Sequence, residues 1–223
     1  HKCSKYGRKY TNFALESTRP GTTQESKEIF DFIPHVIYYS IMFNPNQIFA
    51  APLAGITDKP FRKILRKYAP NASLVTEMIS CHSLVGGHKN CLRNFDRYDD
   101  EGNIGAQIFG ANPELMGRGA AMLEAQGAKW IDINMGCPVP KVATKAGAGA
   151  YLIRDHELAG RIIKSVVGSV KIPVSVKTRL GWDDSHRDWL NLIFIAGENG
   201  AALAQLHGPT RAAGYTGHAD LPT

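Results

Sequence analysis

Short apolar runs alternate with segments of helical periodicity from residue 48 onward. Six runs rich in β-branched and aliphatic residues are typical of buried strands, and they cover 48–55, 74–79, 104–109, 130–134, 172–177 and 202–207. Helix-start signals follow most of these runs, and no hairpin signal joins two neighbouring ones. The pattern therefore predicts alternating strands and helices around a parallel sheet.

The first predicted helix has Thr57 or Asp58 as its N-cap and Pro60 in its first turn. Its apolar residues recur at i, i+3, i+4 and i+7, and they are Phe61, Ile64, Leu65 and Tyr68. We expect this stripe to lie on the sheet.

Three further helices are predicted from caps and apolar faces. One opens at Asn112, and another is capped by Asp155. Their apolar faces are Leu115, Met116, Met122 and Leu123 in the first, and Leu158, Ile162, Ile163 and Val166 in the second. A third helix is predicted over 183–199, and its cap and solvated start are Asp183, Asp184 and Asp188. The span 81–91 is predicted to be a short helix or loop.

Two architectures contain a parallel sheet of this kind, namely a doubly wound open sheet and a (β/α)₈ barrel. Residues 47–223 carry six predicted strands, so a barrel would stop before its seventh and eighth strands. Residues 1–46 lack sustained periodicity until Ile29, and we interpret them as an N-terminal extension of unclear order.

One loop contains a cysteine between a glycine and a proline, directly after the fourth predicted strand. The stretch 131–150 reads IDINMGCPVPKVATKAGAGA, so Asn134 and Cys137 follow the strand, and Lys141 and Lys145 lie nearby. Ligands bind at the carboxyl edge of parallel strands. We therefore interpret Cys137 as a functional residue, although many single cysteines are only small buried hydrophobic residues.

Polar side chains recur at the carboxyl ends of four predicted strands, and these are Gln107, Asn134, Lys177 and His207. A single residue of this kind is usually a solvated rim residue, but a closed barrel would bring all four to one mouth. Amide, lysine and histidine side chains can hydrogen-bond the edge of a planar heterocycle such as a flavin. Lys177 could also stabilise negative charge that develops on such a ring.

Composition and charge narrow the function classes only slightly. The 26 basic and 20 acidic residues give a net charge of +6, which favours an anionic partner such as nucleic acid or a phosphorylated cofactor. The four cysteines include no CxxC pair, which indicates a reducing compartment, and we expect a cytoplasmic or organellar interior. No apolar run reaches the ~18 residues that a membrane span requires, so no membrane partner is expected.

Two weaker patterns are not interpreted as sites. GAGAYL at 147–152 lacks the third glycine of a dinucleotide loop and does not lie between a strand and its immediate helix. The spacing of four possible ligands matches no standard metal site, and they are Cys81, His82, His88 and Cys91. We therefore expect no metal.

Six motifs together resemble the tRNA-dihydrouridine synthase family. They are APLAGITDKPFR (51–62), TEMIS (76–80), GAQIFG (105–110), INMGCPVPKV (133–142), SVKTRLGW (175–182) and LHGPTRAAGYTG (206–217). The resemblance implies an α/β fold of the (β/α)₈ TIM-barrel type, truncated after about six strands. It also implies FMN as cofactor, NADPH as reductant and reduction of uridine to 5,6-dihydrouridine in tRNA. A C-terminal helical RNA-binding domain, which the family carries, is expected to be absent from this chain.

The resemblance assigns roles position by position. Cys137 matches the catalytic acid that protonates C5 of the uracil. The positions that match cofactor contacts are Pro52 and Leu53 through their backbone, and Gln107, Lys177 and His207 through their side chains. Asn134 matches a contact to the target base, and we expect Arg179 and Tyr215 to line the same mouth. Because the base must leave the RNA stack, the mouth should be deep and partly basic.

Two alternatives stay open. One is another FMN barrel that acts on a free pyrimidine, similar to a dihydroorotate or dihydropyrimidine dehydrogenase, and the other is an inactive RNA-binding fragment. The GCPVPKV loop and the HGPTR segment favour the tRNA enzyme. Three features depart from the family pattern: Pro209 stands where the family usually carries a basic residue, AAGYTG is a slight variant, and residues 1–46 match nothing in it.

Overall fold

The computed structural model describes residues 48–88 and 91–214. The strands in these ranges are β1 Leu74–Val75, β2 Ile79–Ser80, β3 Ile104–Phe109, β4 Trp130–Met135, β5 Val174–Arg179 and β6 Leu203–His207. They form one parallel sheet in the order β1, β3, β4, β5, β6, and β2 also pairs with β3. The extension predicted over 1–46 lies outside the described residues.

The helices are α1 Lys59–Tyr68, α2 Cys81–Val85, α3 Pro113–Ala125, α4 Pro140–Ala143, α5 His156–Ser169 and α6 Trp189–Glu198, with 3₁₀ turns at Cys91–Phe95 and Gly149–Ile153. The predicted caps are confirmed in three of them. Asp58, Asn112 and Asp155 each accept a hydrogen bond from the backbone N–H three residues later, which satisfies a donor that the helix leaves free.

The strand order distinguishes the two architectures. From β3 to β6, every strand pairs with the next strand in the chain, and the pairing is parallel each time. A doubly wound sheet reverses its strand order at a switch point, whereas a (β/α)₈ barrel keeps the strands in chain order. The sheet is an arc of a (β/α)₈ barrel, and the predicted α/β class is confirmed.

The hydrophobic core lies between the sheet and the helices that follow its strands. Ile131 and Ile133 of β4 are fully buried in this core together with Ile162 of α5. Successive side chains of a strand point to opposite faces, so Asp132 and Asn134 turn away from the helical layer. The inner face is therefore apolar at Trp130, which clusters with Val75 and Ala202, and polar further along β4 at Asp132 and Asn134.

The prediction of a buried strand over 48–55 is wrong. It forms only an isolated parallel bridge between Phe49 and Ser73, and Ile48 is 70% exposed. The predicted strand over 74–79 is split into β1 and β2. At the break, the hydroxyl of Thr76 accepts the backbone N–H of Gln107 at 3.2 Å, so a side chain replaces a ladder partner.

The stripe predicted for α1 is also wrong, because Ile64 and Tyr68 are 58% and 78% exposed. The buried residue of this helix is Arg62, which forms an ion pair with Glu101 at 3.1 Å. In α3, Met116 and Leu123 are buried as predicted, but Met122 is exposed.

The helix predicted over 183–199 begins later than expected, at Trp189. Asp183 does not cap it. The carboxylate of Asp183 instead accepts the Ser185 N–H at 3.0 Å and contacts His186 Nδ1 at 2.7 Å, which closes a tight turn. Asp188 occupies the N-cap position without a side-chain cap hydrogen bond. Competition of aspartate side chains with the helix for backbone donors explains the late start.

Candidate active site

Polar side chains of β3, β4, β5 and β6 share one face of the sheet. Parallel pairing aligns Gln107 with Asp132, Asp132 with Ser175, Asn134 with Lys177, and Arg179 with His207. Paired residues of neighbouring strands point to the same side. The four strand-end residues selected from the sequence are therefore brought to one edge, with Gln107 one layer deeper than Asn134 and Lys177.

A continuous hydrogen-bonded chain runs across this face. The Ser175 hydroxyl donates to Asp132 Oδ1 at 2.6 Å, and Gln107 Nε2 donates to Asp132 Oδ2 at 2.6 Å. Asn134 Nδ2 then donates to Gln107 Oε1 at 2.9 Å. Three strands are thus cross-linked by side chains beneath the edge where ligands bind in barrels of this kind.

This chain of hydrogen bonds ends at the loop that carries Cys137. Asn134 Oδ1 accepts the backbone N–H of Gly136 at 3.2 Å and that of Cys137 at 2.9 Å. The carbonyl of Cys137 accepts the N–H of Ala150 at 3.0 Å, so the loop folds back on the cysteine. Cys137 is 9% exposed, and its thiol makes no hydrogen bond to a described residue.

Lys177 and His207 have altered proton affinities at the same edge. Burial lowers the pKa of Lys177, the charge of Asp132 opposes that shift, and the charge of Arg179 adds to it. Burial, together with the charges of Lys177 and Arg179, lowers the pKa of His207 to about 4. His207 is therefore a neutral imidazole at pH 7, which can donate and accept a hydrogen bond.

Arg179, the last residue of β5, ties together the loops that follow β4 and β6. Its Nε donates to the Gly136 carbonyl at 2.6 Å, and its Nη1 donates to the carbonyls of Thr210 and Gly214 at 3.0 and 2.9 Å. The side chain is buried. Its charge thus lies behind the mouth, where it holds the loops next to Cys137 and His207.

Comparison with known proteins gives one consistent result. The family described as "Dihydrouridine synthase (Dus)" matches residues 49–223. The chain belongs to the dihydrouridine synthase family.

Three curated members of the dihydrouridine synthase family illustrate the similarity. A "Probable tRNA-dihydrouridine synthase 1" of Synechocystis sp. is 43% identical over 175 residues, which cover 78% of this chain and 48% of that protein. A "tRNA-dihydrouridine synthase B" of Pseudomonas putida is 40% identical, covering 80% and 52%. Its counterpart in Xanthomonas axonopodis pv. citri is 39% identical, covering 79% and 53%. The chain spans about half the length of the curated relatives it matches.

The segment at Pro52 and Leu53 forms a tight turn. The carbonyl of Leu53 accepts the N–H groups of Ile56 and Thr57 at 3.0 and 2.9 Å, and the Leu53 N–H donates to the Thr57 hydroxyl at 3.1 Å. The Gly55 N–H donates to Glu77. Both cofactor contacts assigned to this turn stay predictions. Tyr215 lies outside the described residues.

Sequence reasoning passed over Ser175 and Asp132 in this chain of hydrogen bonds, and Asp132 is the ionisable one of the two. It is fully buried, and burial raises its pKa to about 6, although the hydrogen bonds from Ser175 and Gln107 and the charge of Lys177 oppose the shift. The signal was present in the strand sequence WIDIN, where a carboxylate interrupts an apolar run two residues before Asn134. Strand alternation places both on one face.

Two sequence patterns remain, namely the GAGAYL segment, which contacts the Cys137 loop through the Ala150 N–H, and the four possible metal ligands. The GAGAYL segment contributes to the 3₁₀ turn Gly149–Ile153. Within the described ranges, no group of three or more His, Cys, Asp or Glu side chains could hold a metal ion. Of the helices in the described part of the chain, none has the length and apolar character needed to cross a membrane.

Proposed function

We propose that this chain contributes the catalytic barrel region of a tRNA-dihydrouridine synthase, which reduces uridine in tRNA to 5,6-dihydrouridine. The observation that carries the proposal is the Cys137 loop, held by Asn134 at the carboxyl edge of a barrel sheet in a chain of this family. In the balanced reaction, a hydride adds to C6 of the uracil and a proton adds to C5. NADPH supplies the two electrons and becomes NADP⁺.

Cys137 is proposed as the acid that delivers the proton to C5. Its backbone N–H and carbonyl are both engaged, with Asn134 and with Ala150. The thiol is the group of this residue that is left to act on a substrate. A thiol in its neutral form carries the proton that an acid must give, and general acid catalysis contributes ~10² to 10⁴-fold.

FMN is the proposed cofactor, and the donors at the edge fit a flavin ring. Lys177 Nζ makes no hydrogen bond within the described part of the chain, and neutral His207 is only partly buried, so its imidazole stays accessible. Gln107 keeps one amide hydrogen after its bond to Asp132. These three side chains, with the backbone of Pro52 and Leu53, would hold the ring. When bound, FMN would supply hydride-transfer chemistry.

Asn134 and Tyr215 would contact the target base, Arg179 would shape the same mouth through the loops that it holds, and the substrate would be tRNA. Support for an RNA partner comes from the net charge of +6 and from the relatives, whose names specify tRNA. A cytoplasmic location agrees with cysteine usage and with such a substrate. The alternative of a free pyrimidine substrate receives no support from these relatives.

The test compares Cys137→Ala with Cys91→Ala, a half-buried cysteine outside the site. Dihydrouridine formed in tRNA is measured by mass spectrometry, and bound flavin is measured by its absorbance. We expect Cys137→Ala to retain flavin and to lose ~10²-fold or more in rate, while Cys91→Ala stays close to wild type. An unchanged rate for Cys137→Ala would overturn its role. Faster reduction of free uracil than of tRNA would establish the alternative substrate.

A further inference from the structure

The buried carboxylate of Asp132 has no part in the reaction proposed above. We propose that Asp132 is a positioning residue, which sets the direction of the Gln107 and Asn134 amides and thereby holds the Cys137 loop in place. The inference rests on the proposed role of Cys137, because it concerns the placement of that side chain.

The direction follows from the chemistry of the groups. An ionised carboxylate only accepts hydrogen bonds, so Gln107 must present its NH₂ group to Asp132. The oxygen of Gln107 then faces Asn134, which must in turn present its own NH₂ group. That leaves Asn134 Oδ1 as the acceptor for the N–H groups of Gly136 and Cys137.

The reverse direction is incompatible with the loop. If the Gln107 amide were flipped, its NH₂ group would face the NH₂ group of Asn134, and Asn134 would have to flip as well. Asn134 would then direct donor hydrogens at two backbone N–H groups, both of which would lose their acceptor. Buried donors without acceptors are costly, so this arrangement would release the loop.

The surroundings hold the carboxylate in one orientation. Ser175 occupies Oδ1 from β5, so only Oδ2 is directed at Gln107 on β3. Asp132 is fully buried. On the same face, Lys177 of β5 is the charged group that stabilises the ionised form. If Asp132 served only stability, its hydrogen bonds would not have to continue through two side-chain amides to the backbone of Cys137.

The test measures the reactivity of the Cys137 thiol and therefore needs neither flavin nor tRNA. Alkylation by iodoacetamide is followed by mass spectrometry of the Cys137 and Cys81 peptides from pH 6 to 9. Cys81 is fully buried and serves as the reporter of global unfolding. We expect Asp132→Leu to speed Cys137 alkylation about tenfold or more and to change its pH profile, with Cys81 unchanged.

Three further single variants and one double variant test the mechanism. Ser175→Ala removes a hydrogen bond from the other carboxylate oxygen and should stay within about threefold of wild type. Asp132→Asn should also stay close to wild type, because its oxygen can face Gln107 while its NH₂ group donates to Ser175. Gln107→Leu removes the next side chain after Asp132 in the chain of hydrogen bonds, so its Cys137 alkylation rate should match that of Asp132→Leu. The double variant Asp132→Leu, Gln107→Leu should be alkylated at Cys137 no faster than either single variant.

The outcomes separate this proposal from the proposed function. An unchanged Cys137 rate in Asp132→Leu, or equal acceleration of Cys81, would overturn the positioning role. If Asp132→Leu does not fold, an unchanged rate in Gln107→Leu overturns it equally. Dihydrouridine formation by the wild-type protein is measured separately, so a failure of the proposed function leaves the alkylation result interpretable.

Discussion

Asn134 holds Cys137 by its backbone rather than by its thiol: Asn134 Oδ1 accepts the Cys137 N–H at 2.9 Å. The same oxygen accepts the Gly136 N–H. A side-chain amide at the end of β4 therefore supplies the acceptor that a backbone carbonyl supplies in an ordinary turn. The Cys137 thiol is left without a hydrogen bond to a described residue. This relationship links strand register to the position of the proposed acid.

We expect Asn134→Ala to destabilise the protein by ~1–3 kcal/mol, because two backbone donors lose their acceptor. Asn134→Asp should cost less, since a carboxylate can still accept from both N–H groups, although it cannot donate to Gln107. Urea unfolding followed by circular dichroism measures both variants. Equal stability of Asn134→Ala and wild type would show that the loop does not depend on this acceptor.

The free energy of unfolding should depend on pH through Asp132 and His207 at the carboxyl edge of the sheet, and their contributions should change in opposite directions. The folded state keeps Asp132 protonated up to about pH 6, whereas the unfolded state releases that proton near 3.8. The contribution of Asp132 is therefore fully present below the unfolded pKa and is lost as pH rises through 6, by about 3 kcal/mol. His207, whose pKa falls from 6.5 to about 4, contributes stability that is lost as pH falls through that range.

Single variants separate these two contributions between pH 4 and 6.5. In Asp132→Asn, only the His207 effect remains, so stability relative to wild type should increase as pH rises. In His207→Gln, only the Asp132 effect remains, and the relative stability should decrease. Urea unfolding at pH 4.5, 5.5 and 6.5 gives the two slopes. Parallel curves for Asp132→Asn and wild type would contradict a raised pKa for this carboxylate.

Removing one partner of a buried ion pair should cost far more stability than removing one partner of a more exposed pair, and α1 carries the basic residue of one pair of each kind. Arg62 and Glu101 are both about 2% exposed, and Arg62 also donates to the carbonyl of Thr57 at 2.9 Å. Arg62→Met leaves a buried carboxylate without its partner and should cost ~3–5 kcal/mol. The matched control is Lys59→Met, which removes an exposed pair with Asp96 and should cost under ~1 kcal/mol.

The double variant Arg62→Met, Glu101→Leu adds a second check on this pair. Since it removes both charges, it should recover a large part of the lost stability. Thermal unfolding measures all the variants at one pH. A double variant as unstable as Arg62→Met would show that the loss came from packing or from the Thr57 contact.

Local signals in the sequence predicted the parts of the fold that depend on neighbouring residues. The three helix caps and strand β3 lie where their own residues indicate. The apolar stripe predicted for α1 was wrong because Arg62 is the buried residue. Its burial depends on Glu101, which lies 39 residues away. Asp132 was passed over for a similar reason: its partners Ser175 and Gln107 belong to two other strands, and only the register brings them together. The motifs identified Cys137, but they did not identify Asp132 and Ser175, which lie further along the same chain of hydrogen bonds.

Gly149→Ala tests how closely the loop after β4 packs against Cys137. Gly149 has φ 56°, in the left-handed region, and a Cβ there would lie 2.9 Å from the Cys137 carbonyl oxygen and 3.0 Å from Val142. Both the backbone and the cysteine would have to move, so we expect a loss of more than ~1 kcal/mol in stability. We also expect faster alkylation of Cys137 than in wild type.

Gly168→Ala in α5 is the matched control, because a Cβ there meets nothing within 4 Å and no positive φ is involved. Gly168 lies in the last turn of α5, where a Cβ fits without strain, so Gly168→Ala should stabilise the protein by ~0.4–1 kcal/mol through the unfolded state. The two variants therefore carry the same chemical change with opposite expected signs. Stabilisation by Gly149→Ala, or an unchanged alkylation rate for Cys137, would mean that the loop has room to adjust. The position of the cysteine would then be set by Asn134 alone.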